Sequence, residues 1–410
     1  MRIEVLNTGT ELLLGNTLNT HGSWLGRELF LLGLRISRQA TVPDGEAIRE
    51  AFEEMVVRSD VILITGGLGP TSDDLTREII AEVLGLELHQ DEHALRTLES
   101  FFALRGKPMV PANLRQALVP IGADVLPNPN GTAPGLYLPP RINKLSNCAV
   151  FLLPGPPREL YPMFHEEVAP RLRALSGVGE VPSVCELKFT GIGESDFHHQ
   201  IDAQLADIEG LEYGYCARMG EVDLRLIGPE IAISAGRSLA LGAFSKNLIS
   251  SDGSSLEKMV IRLLKERGLK LATAESCTGG LISNRLTNVS GASEVFAYGW
   301  VTYANEAKVS QLGVRDQTLA QYGAVSEETA REMAEGALEK SSADIAISVT
   351  GIAGPTGGSE EKPVGTAWLG LAVRSQPTQA LRVFHPRNRL DFKQSVAQSA
   401  LNLLRTTLLD

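Results

Sequence analysis

Residues Leu271–Gly280 bring a hydroxyl group to the point where an apolar strand should end. Their sequence, Leu-Ala-Thr-Ala-Glu-Ser-Cys-Thr-Gly-Gly, predicts a buried strand followed by a turn and a helix start. The chemistry of α/β sheets is concentrated at such strand ends. Ser276 could act there as a nucleophile, with backbone N–H groups of the glycine-containing turn directed at an oxyanion or a phosphate. The alternative is that Ser276 caps the helix.

Two further predicted strands, 296–303 and 345–349, also end in polar residues. The first runs into the segment from Tyr303 to Lys308, and the second runs into a glycine-rich loop that begins at Thr350. Right-handed crossovers between parallel strands bring their carboxyl ends to one edge of a sheet. We therefore expect the three strand ends to form a single pocket.

A serine nucleophile needs a base, and no suitable histidine lies near these strand ends. Lys308 is the candidate base, because burial can lower the pKa of an amine enough to free its lone pair. The alternative for Lys308 is a solvated position on a helix. Cys277, beside the serine, is the alternative nucleophile.

A second glycine-rich turn follows the apolar strand 61–64. It reads Thr-Gly-Gly-Leu-Gly-Pro-Thr-Ser-Asp-Asp-Leu-Thr from Thr65 to Thr76 and runs into a predicted helix. Glycines permit close backbone approach and a helix N-terminus favours anions, so this turn can cradle a phosphate. Asp73 and Asp74 would repel that phosphate unless a hard cation such as Mg2+ lay between them. The alternative is that one of these carboxylates caps the helix.

Composition limits the classes of protein that fit. The chain has 410 residues, 43% hydrophobic and 21% charged, which predicts two or three ordinary globular domains. Its net charge of -11 argues against an extended nucleic-acid surface. The N-terminus lacks a basic and then apolar leader, and no apolar run approaches about 18 residues, so we expect a cytoplasmic protein. The four cysteines form no C-x-x-C pair, which argues against a disulfide scaffold or structural zinc.

Hydrophobic periodicity predicts the elements that position these residues. A helix from about Thr20 to Gly33 and another over 48–56 flank the apolar strand 61–64. Residues 245–255 are rich in Ser, Asn, Asp and Gly and are predicted to form a linker or loop. We predict domains at 1–170, 171–252 and 253–410. The middle module shows no paired acid or nucleophile, so a spacer or dimer-contact role is expected for it.

Three motifs in the first 170 residues carry a family resemblance. They are Gly66-Gly67-x-Gly69-Pro70-Thr71-x-Asp73-Asp74-x-Thr76, Thr8-Gly9-Thr10-Glu11-Leu12-Leu13-x-Gly15, and Pro154-Gly155-Pro156-Pro157-Arg158-Glu159-Leu160. Together they resemble the molybdopterin-binding (MoaB/MogA-like) domain found at the amino terminus of the CinA family of competence/damage-inducible proteins. The resemblance implies an ADP-ribose pyrophosphatase that depends on a divalent metal, Mg2+, Mn2+ or Co2+. It implies that Gly66, Gly67, Gly69, Thr71 and Glu11 bind the substrate and that Asp44, Asp73 and Asp74 hold the metal, with Glu11 also a candidate for handling water.

Three motifs in the last domain are similar to the carboxy-terminal domain of the same family. They are Ala274-Glu275-Ser276-Cys277-Thr278-Gly279-Gly280, Tyr303-x-Asn305-x-x-Lys308 and Val349-Thr350-Gly351-Ile352-Ala353-Gly354-Pro355. That domain is the nicotinamide-nucleotide amidohydrolase known as PncC. The resemblance implies that Ser276 attacks the carboxamide of nicotinamide mononucleotide with the help of Lys308 and Tyr303, without a metal. It also implies that the catalytic residue Thr350 and the glycine loop after it steady the substrate or its oxyanion. It further implies that Thr278, Gly279, Gly280, Asn305, Gly351 and Gly354 contact the substrate.

The sequence departs from the family near its end. The family carries an F-x-G-D-R element whose arginine serves the phosphate, whereas this chain reads Phe384-His385-Pro386-Arg387-Asn388-Arg389. Arg389 aligns with that arginine only through a one-residue insertion. The resemblance therefore implies a substrate-binding Arg389 with an altered approach.

We thus expect an α/β protein with three parts: a three-layer MoaB/MogA-like domain, a small α+β middle module and a three-layer α/β deamidase domain. The expected function is bifunctional salvage of pyridine nucleotides, acting on nicotinamide mononucleotide and ADP-ribose, in a homodimer without membrane or direct nucleic-acid binding. Two alternatives stay open. One domain could be a nucleotide sensor, or the whole chain could be a non-enzymatic competence or DNA-damage adaptor.

Overall fold

The architecture is described from a computed structural model that covers residues 1–142, 147–177 and 183–409. The chain divides into two compact units, residues 1–181 and 182–410. In the described residues, no helix combines the length and the apolar character needed to cross a membrane.

The first unit is built on a mixed six-stranded sheet. The strands of the unit are β1 Ile3–Thr8, β2 Ile36–Val42, β3 Val61–Thr65, β4 Leu88–Gln90, β5 Leu118–Pro120, β6 Asp124–Leu126, β7 Gly135–Leu138 and β8 Ala149–Leu153. Its α-helices are α1 Thr10–Leu13, α2 His21–Leu31, α3 Glu46–Val56, α4 Thr76–Val83, α5 Glu92–Leu104, α6 Pro157–Met163 and α7 Ala169–Ser176, with a 3-10 helix at Pro111–Ala117 and a π-helical turn at Phe164–Val168. The sheet order is β2-β1-β3-β8-β7-β6, and β4 and β5 form a separate pair.

Both faces of this sheet are covered, which gives three layers. The strands β2, β1, β3 and β8 run parallel, and β7 and β6 are antiparallel additions. Alternate residues of β3 enter opposite cores, Val61 and Leu63 beneath α2 and α6, and Ile62 and Ile64 beneath α3 and α4. A central strand with two covered faces must be apolar throughout, which explains the run 61–64. The predicted helices and the buried central strand are confirmed.

The second unit contains two sheets. Its strands are β9 Ser183–Thr190, β10 Glu212–Arg218, β11 Glu221–Gly228, β12 Leu248–Ser250, β13 Leu271–Glu275, β14 Phe296–Val301, β15 Ile345–Gly351, β16 Thr366–Val373 and β17 Gln379–Phe384. Its α-helices are α8 Glu194–Gln200, α9 Asp202–Ala206, α10 Glu230–Phe244, α11 Leu256–Arg267, α12 Leu281–Thr287, α13 Asn305–Leu312, α14 Asp316–Tyr322, α15 Glu327–Glu339 and α16 Arg389–Leu409, with 3-10 turns at Ser245–Asn247 and Ala292–Glu294.

The middle module is an antiparallel sheet of order β10-β11-β9-β12 whose apolar face packs on α8 and α10. The prediction of a linker over 245–255 is wrong in part, because Leu248–Ser250 forms strand β12 and pairs with β9. The run is too short and too polar to show strand alternation. On strand β11, Asp223 lies on the face opposite Val222 and Leu224 and is nevertheless buried, where it pairs with Lys188 at 2.7 Å.

The last sheet has the order β14-β13-β15-β16-β17. The strand β13 is parallel to both β14 and β15, and β16 and β17 are antiparallel. The helices α11, α12 and α16 cover one face, and α15 covers the other, where alanines let it approach closely. The carboxyl ends of β13, β14 and β15 therefore lie at one edge, as the sequence predicts. The predicted α/β class, with three layers at each end of the chain, is confirmed.

The predicted domain boundaries at 170/171 and 252/253 stay predictions. The helix α7 extends across residue 170. At the other boundary, Arg405 of α16 donates to the backbone oxygens of Leu248 at 2.7 Å and Lys246 at 3.2 Å, so the last helix is bonded to the middle module.

The buried ion pair of the middle module predicts an asymmetric response to mutation. Asp223→Asn should lower the free energy of unfolding by about 3–5 kcal/mol, because it leaves the Lys188 ammonium buried without a carboxylate. Lys188→Met should cost less, because Asp223 keeps Arg218 at 3.0 Å. Urea titrations followed by circular dichroism measure both. Lys188→Met combined with Asp223→Leu should recover most of the loss, and equal effects of the two single changes would contradict this account.

Candidate functional site

The carboxyl ends of β1, β3 and β8 border a cleft of about 530 Å³ in the first unit. Parallel strands end together at this edge, so residues far apart in sequence meet there. The cleft is lined by the predicted residues Glu11, Asp44, Gly66, Gly67, Gly69, Asp73 and Asp74. Thr71 is absent from the described lining.

The glycines of the loop after β3 are required by space as well as by backbone angle. Gly66 has φ +102°, and a Cβ atom there would lie 2.6 Å from the backbone oxygen of Thr8. Gly67 has φ +66°, and its Cβ atom would lie 2.0 Å from Thr76 Oγ1. No other residue type fits either position without displacing a neighbour. The loop can thus present its backbone to a ligand at close range.

The acidic pair of this loop does not cap the following helix. The helix α4 begins at Thr76, with Leu75 as N-cap and no side-chain cap. Asp74 instead accepts hydrogen bonds from the backbone N–H and the hydroxyl of Thr71. A hydrogen bond from Thr71 also lowers the pKa of Asp73. Both carboxylates line the cleft. Thr71 forms hydrogen bonds with these carboxylates and does not itself line the cleft.

Two arginines stabilise the glycine loop through hydrogen bonds to backbone oxygens. Arg77, fully buried, donates to the backbone oxygens of Leu68 at 3.2 Å and Arg115 at 2.9 Å. Arg115 donates to the backbone oxygens of Thr71 and of Asp74, the latter at 3.0 Å. These bonds fix the loop without placing a cation in the cleft.

The charge of the lining is one-sided. Five carboxylates line the cleft, from Glu11, Asp44, Asp73, Asp74 and Glu159, and the described lining includes one histidine and neither lysine nor arginine. Asp44 is partly engaged, because its Oδ2 accepts from the N–H of Thr10 at 2.9 Å and from its hydroxyl at 3.0 Å. Among the described residues, no three His, Cys, Asp or Glu side chains form a ready metal cluster. The carboxylates of the lining are available to a metal that is shared with a ligand's oxygens.

Sequence reasoning missed two members of this cleft. His21, at the start of α2, lines it and bonds through Nδ1 to Thr65 Oγ1 at 3.1 Å. Glu159, 7% exposed, accepts from Asn128 Nδ2 at 2.9 Å. Glu159 belongs to the motif Pro154–Leu160, which carries the family resemblance but does not by itself indicate a role for this residue. His21 could have been found as a polar residue at a helix start close to the strand ends.

A second site lies at the carboxyl edge of the last sheet, around Ser276. The Ser276 N–H donates to the backbone oxygen of Val349 on β15 at 2.9 Å, and the Thr302 N–H donates to that of Glu275 at 2.8 Å. Ser276 therefore lies on the central strand between the ends of its two neighbours. Its side chain is 8% exposed.

Lys308 reaches this same edge from helix α13. It is 1% exposed, and its Nζ donates to the backbone oxygens of Thr302 at 2.9 Å and Tyr303 at 3.3 Å. Since Thr302 is the neighbour of Ser276 across the sheet, the amine lies beside the serine's strand end. Burial lowers the pKa of Lys308, and the nearby Cys277 and Glu306 oppose that shift. The alternative of a solvated lysine is wrong.

The turn after Ser276 is held by Glu275 rather than by a ligand. The Glu275 carboxylate accepts from the N–H of Ile282 at 3.1 Å and from the N–H and hydroxyl of Ser283 at 2.8 and 2.7 Å. The N–H groups of Ile282 and Ser283 are therefore not free to bind a ligand. Within the described chain, no partner uses the N–H groups of Thr278 and Gly280, and the buried Thr278 hydroxyl is unpaired. Thr278 is fully buried, whereas Gly280 is partly exposed, so the Gly280 N–H can receive an oxyanion.

The structure separates the two candidate nucleophiles by environment. Cys277 is buried among the core residues of the last sheet, and this burial raises its pKa to about 12. A thiol that holds its proton so firmly is a poor nucleophile. The neighbouring Ser276 keeps a path to solvent.

Tyr303 and Arg389 meet at the rim. The Arg389 guanidinium donates to the Tyr303 hydroxyl and to the backbone oxygen of Gly354 at 2.9 Å. The insertion in the last motif therefore still leaves an arginine at this edge. Asn305 is exposed at the start of α13, and Gly351 packs against Cys277. The Thr350 hydroxyl donates a hydrogen bond to the backbone oxygen of Ala324, so its proton is not free for a substrate. The catalytic role of Thr350 stays a prediction.

Lys393 is a further residue that the sequence reasoning missed. A Cβ atom on Gly279 would lie 3.5 Å from Lys393 Nζ, and this charge also acts on Cys277. Lys393 follows Arg389 by one helical turn on α16, and residues with that spacing lie on the same face of a helix. The i, i+4 pair of cations could have indicated it.

Comparisons with known proteins agree with this two-part architecture. Residues 4–174 match the family model described as "Probable molybdopterin binding domain", and residues 253–408 match that of the "CinA C-terminal domain". A "CinA-like protein" of Akkermansia muciniphila is 50% identical over 405 residues, covering 98% of this chain and 96% of its own. A protein of Caldicellulosiruptor bescii, named provisionally as competence-damage inducible, is 45% identical over the full length of both chains.

A solved structure matches part of the chain. The competence/damage inducible protein CihA of Agrobacterium tumefaciens is 40% identical, and the match covers 39% of this chain and all of that one, with a TM-score of 0.36.

The glycine loop of the first unit generates a stability prediction with a matched control. Gly67→Ala should lower the melting temperature more than Gly85→Ala, although the two residues have nearly equal positive φ, +66° and +64°. Each alanine costs about 1–2 kcal/mol of backbone strain. Only the Cβ atom at Gly67 also collides with Thr76, for roughly 1–3 kcal/mol more, because Gly85 faces open space. Equal melting temperatures of the two variants would show that the loop is not tightly packed.

Proposed function

Since this chain belongs to the CinA family, we propose that it is a bifunctional hydrolase of pyridine nucleotides. In this proposal, the last domain removes the amide of nicotinamide mononucleotide. The first domain cleaves ADP-ribose to AMP and ribose 5-phosphate with a divalent metal. The observation that carries the proposal is the buried Lys308 amine at the strand end next to Ser276.

The proposed deamidation begins at the Ser276 hydroxyl. Its oxygen attacks the carboxamide carbon, and its proton passes to the Lys308 amine. The lowered pKa of Lys308 supports this role, because it increases the fraction of free amine near neutral pH. The lysine then returns the proton to the leaving nitrogen of the tetrahedral intermediate, the C–N bond breaks, and ammonia departs, which leaves an ester on Ser276. Attack by water, assisted by the same amine, releases nicotinate mononucleotide and restores the serine.

The oxyanion formed in each step needs hydrogen-bond donors. The N–H group of Gly280, a partly exposed residue of the turn, is available for it. This assignment differs from the predicted use of Thr350, whose proton is engaged by Ala324. The phosphate of the substrate would be bound by Arg389 and Lys393, with Tyr303 and Asn305 at the same rim.

The charge of the first cleft supports a metal-dependent reaction there. A diphosphate has no lysine or arginine to bind in the described lining, and five carboxylates would repel it. Carboxylate oxygens are the ligands that Mg2+ and Mn2+ prefer, and Mg2+ is commonly shared between one or two carboxylates and substrate phosphates. Asp73 and Asp74, with Asp44 opposite, would hold such an ion. It would supply the positive charge that neutralises the diphosphate.

The chain's own residues would bind and orient the rest of the diphosphate. The loop glycines Gly66, Gly67 and Gly69 allow its oxygens to approach the backbone. Arg77 and Arg115 keep that loop in place by bonds to its carbonyl oxygens. Glu11 also lines the cleft, where it could orient the attacking water.

A homodimer and cytoplasmic location remain part of this proposal. The exposed edge strand β14, with Tyr298 stacked on Trp300 at 5.3 Å, supports a contact with a second copy. The net charge of -11 supports nucleotide substrates over direct binding to nucleic acid.

Substitution of the serine separates an amidohydrolase from a non-enzymatic adaptor. Ser276→Ala should reduce ammonia release from nicotinamide mononucleotide by about 10³-fold or more, because the nucleophile is lost. Cys277→Ala should keep most of the rate, since that thiol is buried and protonated. A coupled ammonia assay measures both variants. Undiminished release from Ser276→Ala would reassign the nucleophile.

Removal of the metal tests the first domain. A chelator, or Asp73→Asn together with Asp74→Asn, should abolish AMP formation from ADP-ribose, because nothing then offsets the charge of the diphosphate. The control is Glu50→Gln with Glu53→Gln, which removes two exposed carboxylates of α3 far along the chain from the loop. Chromatography of the nucleotides measures AMP. ADP-ribose that binds with metal present but is never cleaved would identify a sensor.

A further inference from the structure

We propose that His21 is the proton acceptor for the water that attacks the diphosphate in the first cleft. The inference rests on the proposed cleavage of ADP-ribose. It assigns a residue that neither the sequence motifs nor the family models single out. Three side chains are linked into a chain by hydrogen bonds at the ends of β1 and β3.

That chain runs from the sheet to the cleft through Asn7, Thr65 and His21. Asn7 and Thr65 are 0% and 1% exposed. The Asn7 amide donates to the backbone oxygen of Ala40 at 3.4 Å, so its Oδ1 faces Thr65. The Thr65 hydroxyl donates to that Oδ1 at 2.9 Å. Its single proton is thereby used, and only lone pairs remain for a third partner.

The third partner is the imidazole ring. His21 Nδ1 lies 3.1 Å from Thr65 Oγ1, and because that oxygen can only accept, Nδ1 must carry the proton of the neutral ring. The other nitrogen, Nε2, is then a proton acceptor. A buried partner that fixes the tautomer in this way is the arrangement by which hydrolases prepare a histidine base.

The position of the ring within the helix is also fixed. The His21 N–H donates to Asn19 Oδ1 at 3.2 Å, and Asn19 Nδ2 donates to Thr41 Oγ1 at 3.1 Å. His21 is the first residue of α2, where the helix dipole disfavours a positive charge. Burial lowers the pKa of His21, while the nearby Gly155 backbone opposes that shift. The ring is therefore neutral at neutral pH.

The rest of the lining offers few rivals for the proton. Apart from His21, its titratable side chains within the described residues are the carboxylates Glu11, Asp44, Asp73, Asp74 and Glu159. Asp44 accepts from Thr10, Asp74 from Thr71, and Glu159 from Asn128. As a class, carboxylates are weaker bases than a neutral imidazole.

In the proposed step, the water oxygen forms a bond to one phosphorus, and one of its protons passes to His21 Nε2. The bond from that phosphorus to the bridging oxygen breaks, and its electron pair leaves with the departing phosphate ester. That ester is a weak base and needs no proton to leave. The imidazolium then releases its proton to solvent.

The test compares His21→Asn with His165→Asn in the full chain. The asparagine amide can still donate to Thr65, but it cannot take a proton, so kcat for AMP release should fall by about 10²–10⁴-fold with little change in KM. His165 is a more exposed ring of the same unit that does not line the cleft, so its variant should behave as wild type. Circular dichroism melting checks that both variants fold.

The pH profile gives the readout that a structural role would not produce. In wild type, kcat/KM should fall as the pH drops through the pKa of His21, below 6.5, because protonation removes the acceptor. The variant His21→Asn should lose this limb, and imidazole added to His21→Gly should restore part of the rate. A rate that rises as the pH falls would instead identify the ring as a cationic phosphate ligand and overturn the proposal.

The two levels of the proposal fail separately. If wild type releases no AMP with Mg2+, Mn2+ or Co2+, the proposed function of the first domain is wrong and the role of His21 falls with it. If wild type is active and His21→Asn keeps its rate and pH profile, only the role of His21 is overturned.

Discussion

A parallel strand that is covered on both faces can present polar groups only where it ends. This constraint organises both candidate sites. The apolar interior of β3 leads directly to Thr65 and the glycine loop, and that of β13 leads to Glu275 and Ser276. In each sheet the neighbouring strands end at the same edge, so their polar ends meet without any need for sequence proximity.

The same constraint explains what could be predicted from the sequence. The run 61–64 is apolar because two cores enclose it. Ser276 follows β13, and Lys308 lies on the helix that follows the parallel neighbour β14, so both belong to the same edge of the sheet. These features follow from local patterns and general topology. The strand β12 could not be predicted, because Leu248–Ser250 is ordered by pairing with β9 rather than by its own residues. A three-residue strand carries too little periodicity to be read.

Site residues escaped prediction where their role depends on a distant partner. His21 gains its orientation from Thr65 and Asn7, and Lys393 gains its place from Gly279, more than a hundred residues earlier. Thr350 shows the opposite case. Its motif suggests a free hydroxyl, whereas the carbonyl of Ala324 takes the proton. Residue type and spacing locate a hydroxyl, but only the packed fold decides which partner receives it.

The helix α16 connects two regions of the second unit. Its 21 residues span roughly 30 Å, at about 1.5 Å per residue. Arg389 in its first turn reaches the rim of the serine site, Gln398 donates to Glu221 at 2.7 Å, and Arg405 near its end bonds to the oxygen of Leu248. One helix therefore carries the contacts to the rim, to β11 and to β12, so any displacement of its first turn acts on the middle module through the same backbone.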